Sequence, residues 1–320
     1  MNRDRLRRTG LYASASNPSN MTLAPFYRAD FLVYDLEDSV SVAEKDSARF
    51  LVFNTLHRPR LTDVELVVRI NGLDTPFGLQ DLEAIVRAKP DLIRVPKCES
   101  PANVQAVCDA ISRIERDAGI PEGSTGIMAS IETAAGVLNA RDIAASSPRL
   151  VAIGLGGEDF TANMKTTRTR EGSELFYARS AIALAARAAG IQALDTIFAD
   201  VNDEEGLIAD TMAIKTLGYD GKLAIHPRQV DVINGIFTPT DQEIRKAVRI
   251  FEAIQEANAH HSGVIALDGK MIDLPVVERA ERTLALPGPR ENGTGVRIDG
   301  HDKQWDRSAG PGRRAHPGPL

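Results

Sequence analysis

Cysteine is scarce in this sequence of 320 residues, which contains only Cys98 and Cys108. Two cysteines ten positions apart provide neither a disulfide framework nor the cluster of thiols that a structural zinc site needs. A reducing compartment is therefore the expected environment. Cys98 directly follows Lys97, but no general base can be assigned to it, so the sequence gives no reason to propose a cysteine nucleophile.

Long apolar runs and an excess of positive charge are also missing. No stretch approaches the ~18 consecutive apolar residues that are needed to span a bilayer. The basic residues near the N-terminus are not followed by an apolar segment, so we expect no secretory signal and a cytoplasmic protein. The formal net charge is −6 and the pI is about 5.6, which argues against a general nucleic-acid binder. A locally basic site for an anionic ligand remains compatible with this charge.

Eight short apolar runs alternate with stretches of helical periodicity. The runs begin near residues 11, 31, 65, 92, 126, 150, 196 and 222. The predicted helices cover residues 41–57, 79–88, 101–118, 136–145, 174–189, 204–217 and 240–259. Alternation of strand and helix is typical of a parallel sheet, and eight repeats favour a closed barrel over an open sheet. The predicted fold class is therefore α/β, a (β/α)8 TIM barrel with a C-terminal extension.

The composition changes after the predicted barrel. We assign residues 1–260 to the barrel as a catalytic domain, and residues 261–287 to a C-terminal segment. Residues 288–320 are rich in Gly, Pro and Arg, are nearly free of aliphatic side chains and contain the only tryptophan, Trp305. A segment of this composition buries too little apolar surface to fold, so we expect a disordered tail.

Two carboxylates mark the ends of neighbouring predicted strands. Glu132 follows the run at 126–131, and Asp159 follows the run at 150–155 after a glycine turn. In a parallel α/β architecture ligands bind outside the carboxyl ends of the strands. Mg²⁺ takes one or two carboxylates together with water and substrate oxygens, so a magnesium site is one interpretation. The other is a helix N-terminal acid and a turn residue. The glycines before Asp159 match no phosphate-binding fingerprint, and we interpret them as a tight turn.

Further polar residues are expected at the same end of the barrel. The ends of predicted strands supply them, and they comprise Asp35, Glu37, Asp38, Arg69, Asn71, Lys97, Glu158, Asp200 and His226. Arg69 is a natural carboxylate clamp, because a guanidinium donates two parallel hydrogen bonds; the alternative is a surface ion pair. His226 is either a proton carrier or a structural histidine. Asp200 and Asp203 are alternatively caps of the following helix.

Several of these segments, in order along the chain, resemble the citrate lyase β-subunit branch of the HpcH/HpaI aldolase–citrate lyase family. The matching motifs are DLEDSV, VVRINGLD, RVPKCES, GIMASIETAAG, GLGGEDF and DGKMIDLP. The resemblance runs from about Arg7 to Leu286 and does not include the glycine-rich tail. Relatives often carry a Val-Pro-Gly turn where residues 12–17 read YASASN, which leaves open whether the acyl carrier is CoA or a carrier protein.

The resemblance implies a TIM barrel, Mg²⁺ as the cofactor, and reversible retro-Claisen cleavage of a 3-hydroxyacyl-CoA, with citryl-CoA as the favoured substrate. It implies that Glu132 and Asp159 bind Mg²⁺ and that Glu132 also contributes to the substrate site. By the same resemblance, Arg69 binds the substrate carboxylate. Asp273 corresponds to an acid that relatives bring to the site on a C-terminal segment, often from a neighbouring subunit.

Such a cleavage needs a general base, and we expect Asp273, or Asp38 or Glu37 of the DLED segment, to handle the proton. The implied partners are an acyl-CoA or carrier-protein thioester and further copies of the chain in a trimer or hexamer, with other citrate lyase subunits as additional candidates. Neither nucleic acid nor membrane is expected. The alternatives to citryl-CoA cleavage are citramalyl-CoA or malyl-CoA cleavage, malyl-CoA thioester hydrolysis, and a non-catalytic role in a lyase complex.

Overall fold

Eight parallel strands close into a barrel in the computed structural model of the chain, which describes residues 5–60, 62–259, 266–268 and 270–288. The strands are β1 (Thr9–Ser14), β2 (Phe31–Asp35), β3 (Glu65–Arg69), β4 (Leu92–Val95), β5 (Gly126–Ile131), β6 (Leu150–Leu155), β7 (Gln192–Asp195) and β8 (Gly221–Ala224). Each strand pairs with the next, and β8 pairs with β1, where Thr9 lies opposite Lys222. The predicted (β/α)8 TIM barrel is confirmed.

Helices connect the strands and continue beyond the barrel. They are α1 (Pro18–Leu23), α2 (Lys45–Leu56), α3 (Gly78–Arg87), α4 (Pro101–Asp117), α5 (Ala134–Leu138), α6 (Ala140–Ala144), α7 (Gly157–Asn163), α8 (Phe176–Ala189), α9 (Glu204–Thr216), α10 (Pro227–Phe237), α11 (Asp241–Ala259) and α12 (Leu274–Ala285). Every helix predicted from periodicity is present, although residues 136–145 divide into α5 and α6 at Asn139. Two helices were not predicted: α7 is short and begins at a glycine, and α10 begins at a proline.

The seventh strand lies earlier than predicted. We expected it at residues 196–199, and β7 instead covers Gln192–Asp195. The reason is that Asp195 is a buried member of the strand, held by hydrogen bonds from Arg179 and Lys222, rather than a residue that follows it. Thr196 and Ile197 come after the strand and reach the mouth of the barrel.

Apolar side chains form separate layers on the two faces of the barrel sheet. The lumen contains Phe31, Val33, Val67, Leu92, Met128, Val151, Ala152, Leu194 and Leu223. A larger layer, which includes Leu32 and Tyr34, packs between the strands and the helices. Alternate residues of a strand face opposite sides of the sheet, which is why neighbours on β2 belong to different layers. Because apolar side chains fill the lumen, only its carboxyl-terminal end is open to a ligand.

A buried ion network joins β7 and β8 to the helices α8 and α9. The Lys222 ammonium lies 2.6 Å from a carboxylate oxygen of Asp195 and 2.7 Å from one of Asp210. The Arg179 guanidinium bridges the same two acids at 2.9 and 2.8 Å. Burial alone would raise the pKa of Asp210, but Lys222 and Arg179 outweigh it and hold the pKa at about 2. The network therefore pairs two acidic with two basic side chains inside the protein.

The residues after the barrel form a small unit of their own with α11. Two short antiparallel strands, β9 (Ala266–Leu267) and β10 (Lys270–Met271), precede α12. Ile272 and Ala280 pack against Ala247 and Ile250 of α11 in a separate apolar cluster. The division of the chain after residues 260 and 287 stays a prediction, and residues 289–320 of the predicted tail lie outside the described residues. No helix in the described part is long and apolar enough to cross a membrane.

We expect Asp210→Asn to lower the free energy of unfolding at neutral pH by about 3–5 kcal/mol, because it removes one carboxylate from a buried network. The folded-state pKa of Asp210 lies below its ordinary value of 3.8, so the carboxylate contributes stability above that pH and loses it as the pH falls towards 2. Urea unfolding followed by circular dichroism measures this: the difference in unfolding free energy between wild type and variant should shrink as the pH falls from 3.8 towards 2. Asp142→Asn, at an exposed position, is the control; a gap independent of pH would contradict the assignment.

Candidate active site

A cavity of about 330 Å³ lies at the carboxyl ends of the barrel strands. All eight strands, or the loops that follow them, contribute to its lining. Of the residues predicted at this end of the barrel, Asp35, Asp38, Arg69, Glu132, Glu158 and Asp159 line this cavity. Its other lining residues are Tyr12, Ser14, Ser39, Arg94, Leu155, Gly156, Gly157, Thr196, Ile197, Leu223 and Ile225.

Arg69, the last residue of β3, is held by the acids of the DLED segment. Its Nε and Nη2 donate to the two carboxylate oxygens of Asp35 at 2.6 and 2.8 Å, and its Nη1 donates to Asp38 at 3.1 Å. Asp35 is buried, which raises its pKa, but the hydrogen bonds and charge of Arg69 hold that pKa below its ordinary value. The guanidinium also lies 5.0 Å from the centre of the Tyr12 ring. Arg69 is therefore both ion-paired and exposed to the cavity, so the two interpretations of it are compatible.

Glu37 lies behind this pair and links it to Lys97. One carboxylate oxygen of Glu37 is 2.9 Å from Nη1 of Arg69, and the other is 3.4 Å from the Lys97 ammonium. Burial, together with the charges of Asp38 and Asp35, raises the pKa of Glu37 even though Arg69 and Lys97 oppose the shift. Lys97 adopts a left-handed backbone (φ = 49°), and its ammonium lies 3.7 Å from Asp159. Such a conformation is unfavourable for a side chain with a Cβ, and it places the ammonium between two acids.

Glu132 follows β5 and points its carboxylate into the cavity from a buried position. Its Oε2 is buried and has no hydrogen-bond partner among the described residues. Burial raises the pKa of Glu132 to about 8, and the neighbouring carboxyl group of Asp159 adds to the effect. Two carboxyl groups that share a partly dry site repel each other when both are ionised.

The donor set fits a divalent cation. A cation between Glu132 and Asp159 would relieve their repulsion and occupy the unpaired oxygen of Glu132. The described residues contain no group of three or more His, Cys, Asp or Glu side chains arranged to hold a metal. Two carboxylates are the usual protein contribution to a Mg²⁺ site, where water and substrate oxygens complete the shell.

Gly156 makes room for the Glu132 carboxylate. A Cβ at position 156 would lie 2.5 Å from Cγ of Glu132 and 2.9 Å from its Cδ, which is too close for any side chain. The next residue, Gly157, donates its backbone N–H to the Thr196 hydroxyl at 2.9 Å and begins α7, which carries Asp159. We interpret the glycines from the sequence as a tight turn that lets Asp159 reach inward. The structure gives Gly156 a second role, because a side chain at this position would occupy the space of Glu132.

Several strand-end residues have structural roles. Asn71 is buried and bonds Asp81 and a backbone carbonyl. The His226 ring accepts from the Arg228 N–H as the cap of α10, and Asp203 caps α9, which favours the structural alternative for both. Asp200 accepts from the N–H of Asn202.

Asp273 does not line the cavity of its own chain. It is exposed, and its carboxylate caps α12 by accepting from the Val276 N–H at 3.2 Å. A catalytic role for Asp273 stays a prediction, since it would need to approach the cavity of another copy of the chain.

Tyr12, Arg94 and Thr196 line the cavity and were not identified from the sequence. Tyr12 belongs to the segment that departs from the family pattern, and Arg94 belongs to the RVPKCES motif. The sequence indicates Arg94 only by a single charge inside an otherwise apolar strand of four residues. A charged residue at such a position faces either the lumen or the helices, and one that faces the lumen is a candidate functional residue.

We expect Gly156→Ala to weaken Mg²⁺ binding by about 10–100-fold, because the added methyl group displaces the Glu132 carboxylate. Isothermal titration of the purified chain with MgCl₂ measures this directly. Gly235→Ala in α10 is the matched control, since nothing lies within 4 Å of a Cβ at that position. Equal Mg²⁺ affinity in wild type and both variants would exclude a cation at Glu132.

Comparisons with known proteins identify the family of the chain. The profile of the HpcH/HpaI aldolase/citrate lyase family matches residues 8–227. Citrate lyase subunit beta of Leuconostoc mesenteroides subsp. cremoris is 48% identical over 286 residues, covering 89% of this chain and 95% of that protein. A (3S)-malyl-CoA thioesterase of Cereibacter sphaeroides is 35% identical over 278 residues, covering 87% and 93%. The crystal structure of CitE from Mycobacterium tuberculosis in complex with magnesium, acetoacetate and coenzyme A has 31% identity and a TM-score of 0.72, covering 89% and 98%. The chain therefore belongs to the HpcH/HpaI aldolase/citrate lyase family.

Proposed function

We propose that this protein is a Mg²⁺-dependent carbon–carbon lyase that cleaves a 3-hydroxyacyl thioester, with citryl-CoA as the favoured substrate and oxaloacetate and acetyl-CoA as the products. The observation that carries the proposal is the buried Glu132 carboxylate, which has an unpaired oxygen and faces the same cavity as Asp159 and Arg69. The 48% identity with a citrate lyase β subunit supports citryl-CoA as the substrate.

Glu132 and Asp159 would hold Mg²⁺. When bound, the ion acts as a Lewis acid on the oxygens of the substrate's hydroxyl-bearing end. Arg69 would bind the carboxylate at that end and fix its orientation, because its side chain is already positioned by Asp35 and Asp38. The Arg69 guanidinium thereby fixes the position of the carbon–carbon bond that is cleaved.

Cleavage begins when the substrate hydroxyl loses its proton to a base of the protein. The oxygen then forms a C=O group, the carbon–carbon bond breaks, and its electron pair becomes the enolate of the thioester. A proton added to the enolate carbon gives acetyl-CoA, so no further reactant is needed.

Three acids are candidates for the proton transfers. Asp38 lines the cavity beside Arg69, and Glu37 lies behind it with a pKa raised mainly by burial. Asp273 would act from the C-terminal segment of a neighbouring copy, because it is not among the residues that line the cavity of its own chain. We therefore include a homo-oligomer, a trimer or hexamer, in the proposal. Citrate lyase partner subunits and a carrier-protein thioester are its further possible components.

The second candidate function is hydrolysis of a malyl-CoA thioester on the same scaffold. The 35% identity with a malyl-CoA thioesterase over most of the chain favours it as the runner-up. Water would then attack the thioester carbonyl, and the carbon–carbon bond would stay intact. Lyases for malyl-CoA or citramalyl-CoA differ from the favoured reaction only in the substituents of the cleaved end.

The test is to incubate the purified protein separately with citryl-, citramalyl- and malyl-CoA, with Mg²⁺ or with excess EDTA, and to identify the products by mass spectrometry. We expect acetyl-CoA and oxaloacetate from citryl-CoA with Mg²⁺ and none with EDTA. Free CoA with an intact hydroxy acid would identify a thioesterase. Absence of any product, with citryl-carrier protein included, would refute the lyase.

We expect Glu132→Gln and Asp159→Asn each to weaken Mg²⁺ binding at least about 10-fold, because each removes one of two anionic ligands. Titration calorimetry with MgCl₂ gives a readout that does not depend on turnover. Glu99→Gln, at an exposed position in the loop after β4, is the control. Wild-type affinity in both variants would remove these residues from the metal site.

A further inference from the structure

Arg94 has an unusual place among the charges of the barrel. It lies on β4 with its residue 2% exposed, lines the active-site cavity, and is directly paired in register with Arg69 on β3. Both guanidinium groups lie against the ring of Tyr12, at 5.0 Å for Arg69 and 5.9 Å for Arg94. Two cationic side chains thus stand next to each other on neighbouring strands at one end of the lumen.

The two arginines differ in what neutralises them. Arg69 has Asp35, Glu37 and Asp38 around it at 2.6 to 3.1 Å. No carboxylate oxygen of the described residues lies within 4.0 Å of the Arg94 guanidinium, and its buried Nε has no hydrogen-bond partner there. Glu132 is near enough for Arg94 to lower its pKa, but the two form no ion pair within that distance.

Other buried arginines are paired. Arg7 donates to Glu65, Arg149 to Glu115, and Arg179 to Asp195. An arginine buried without a counter-ion is costly, and the Tyr12 ring offsets only part of that cost. Arg94 lies unpaired on the wall of the substrate cavity. A ligand that supplies an anionic partner for its guanidinium explains this arrangement.

We infer that Arg94 binds a second free carboxylate of the substrate's acyl group and thereby selects a thioester that carries two. This inference rests on the proposed lyase function and specifies its substrate. Citryl-CoA has two free carboxylates, one on the hydroxyl-bearing carbon and one on the adjacent methylene group. Malyl-CoA and citramalyl-CoA have only one.

The donor inventory of the two side chains supports this division of labour. Arg69 already donates through Nε, Nη1 and Nη2 to Asp35 and Asp38, so it retains few N–H groups for a ligand. No hydrogen bond from the Arg94 guanidinium is found within the described residues, so its planar fork is available for a bidentate carboxylate. Arg69 would hold the carboxylate common to all three substrates, and Arg94 the one that is particular to the citryl group.

The experiment compares Arg94→Met and Arg94→Lys with wild type on citryl-CoA and citramalyl-CoA. We expect Arg94→Met to lower the ratio of kcat/KM for citryl-CoA to kcat/KM for citramalyl-CoA by at least about 100-fold. The variant lacks the guanidinium that pairs with the second carboxylate of the citryl group, which is then buried without a partner. The lysine variant should fall in between, because it keeps the charge and loses the fork. Arg141→Met, at an exposed position, is the matched control. The melting temperature of Arg94→Met without ligand should not be below that of wild type, because no ion pair is lost.

An equal loss on both substrates, or a lower melting temperature with an unchanged ratio, would overturn the inference and leave the lyase function standing. If wild type cleaves none of the thioesters, the proposed function fails separately. Binding still decides the role of Arg94 in that case: calorimetry with oxaloacetate and pyruvate should show a preference for oxaloacetate in wild type that Arg94→Met abolishes. Equal affinities in wild type would refute a second carboxylate site.

Discussion

Closure of the barrel is the constraint on which the site depends. The first and last strands meet only because Gly221 approaches the backbone of Arg7, where a Cβ would lie 1.9 Å from the carbonyl oxygen. Gly10 similarly leaves space for the ring of Phe31, which fills the lumen beside it. Once the ring of strands is closed, all carboxyl ends face one cavity. Residues as distant in sequence as Tyr12 and Ile225 then line the same volume.

The buried charges of the chain divide into two kinds. Those of the Arg179, Asp195, Asp210 and Lys222 network satisfy one another and connect elements of the fold. Those at the cavity are incompletely satisfied, since Oε2 of Glu132 and Nε of Arg94 have no hydrogen-bond partner among the described residues. A low-dielectric site makes each unpaired group expensive and makes its interaction with a ligand correspondingly strong. The cavity thus offers one carboxyl oxygen and one guanidinium nitrogen that lack protein partners, which suits a metal ion together with an anionic substrate.

The sequence predicted the barrel well because its strands are apolar on both faces and its helices are periodic. It misplaced β7, because the strand was assigned to residues 196–199, whereas the structure ends it at the buried Asp195. Glu132, Asp159 and Arg69 were found because each follows a clear run and matches a family motif. Arg94 was missed because one charge in a four-residue strand forms no pattern, and its lack of a counter-ion is visible only in three dimensions. The spacing of His226 and Asp203 does not distinguish a helix-capping role from a catalytic one, because residues with either role occur after the carboxyl ends of barrel strands.

A citrate lyase β subunit and a malyl-CoA thioesterase align with most of this chain at 48% and 35% identity, so the residues that line the cavity are where a difference in substrate is to be sought. An apolar pocket separates substrates that differ by a methyl group by only about 1–3 kcal/mol. A buried arginine discriminates more strongly and in one direction. A substrate with the second carboxylate neutralises it, whereas a substrate without one leaves the charge buried and unpaired, so the discrimination arises largely from a penalty on the wrong ligand. Tyr12 moderates that penalty in the free protein by offering its ring to both guanidinium groups, which lets the fold tolerate the unpaired charge until the substrate arrives.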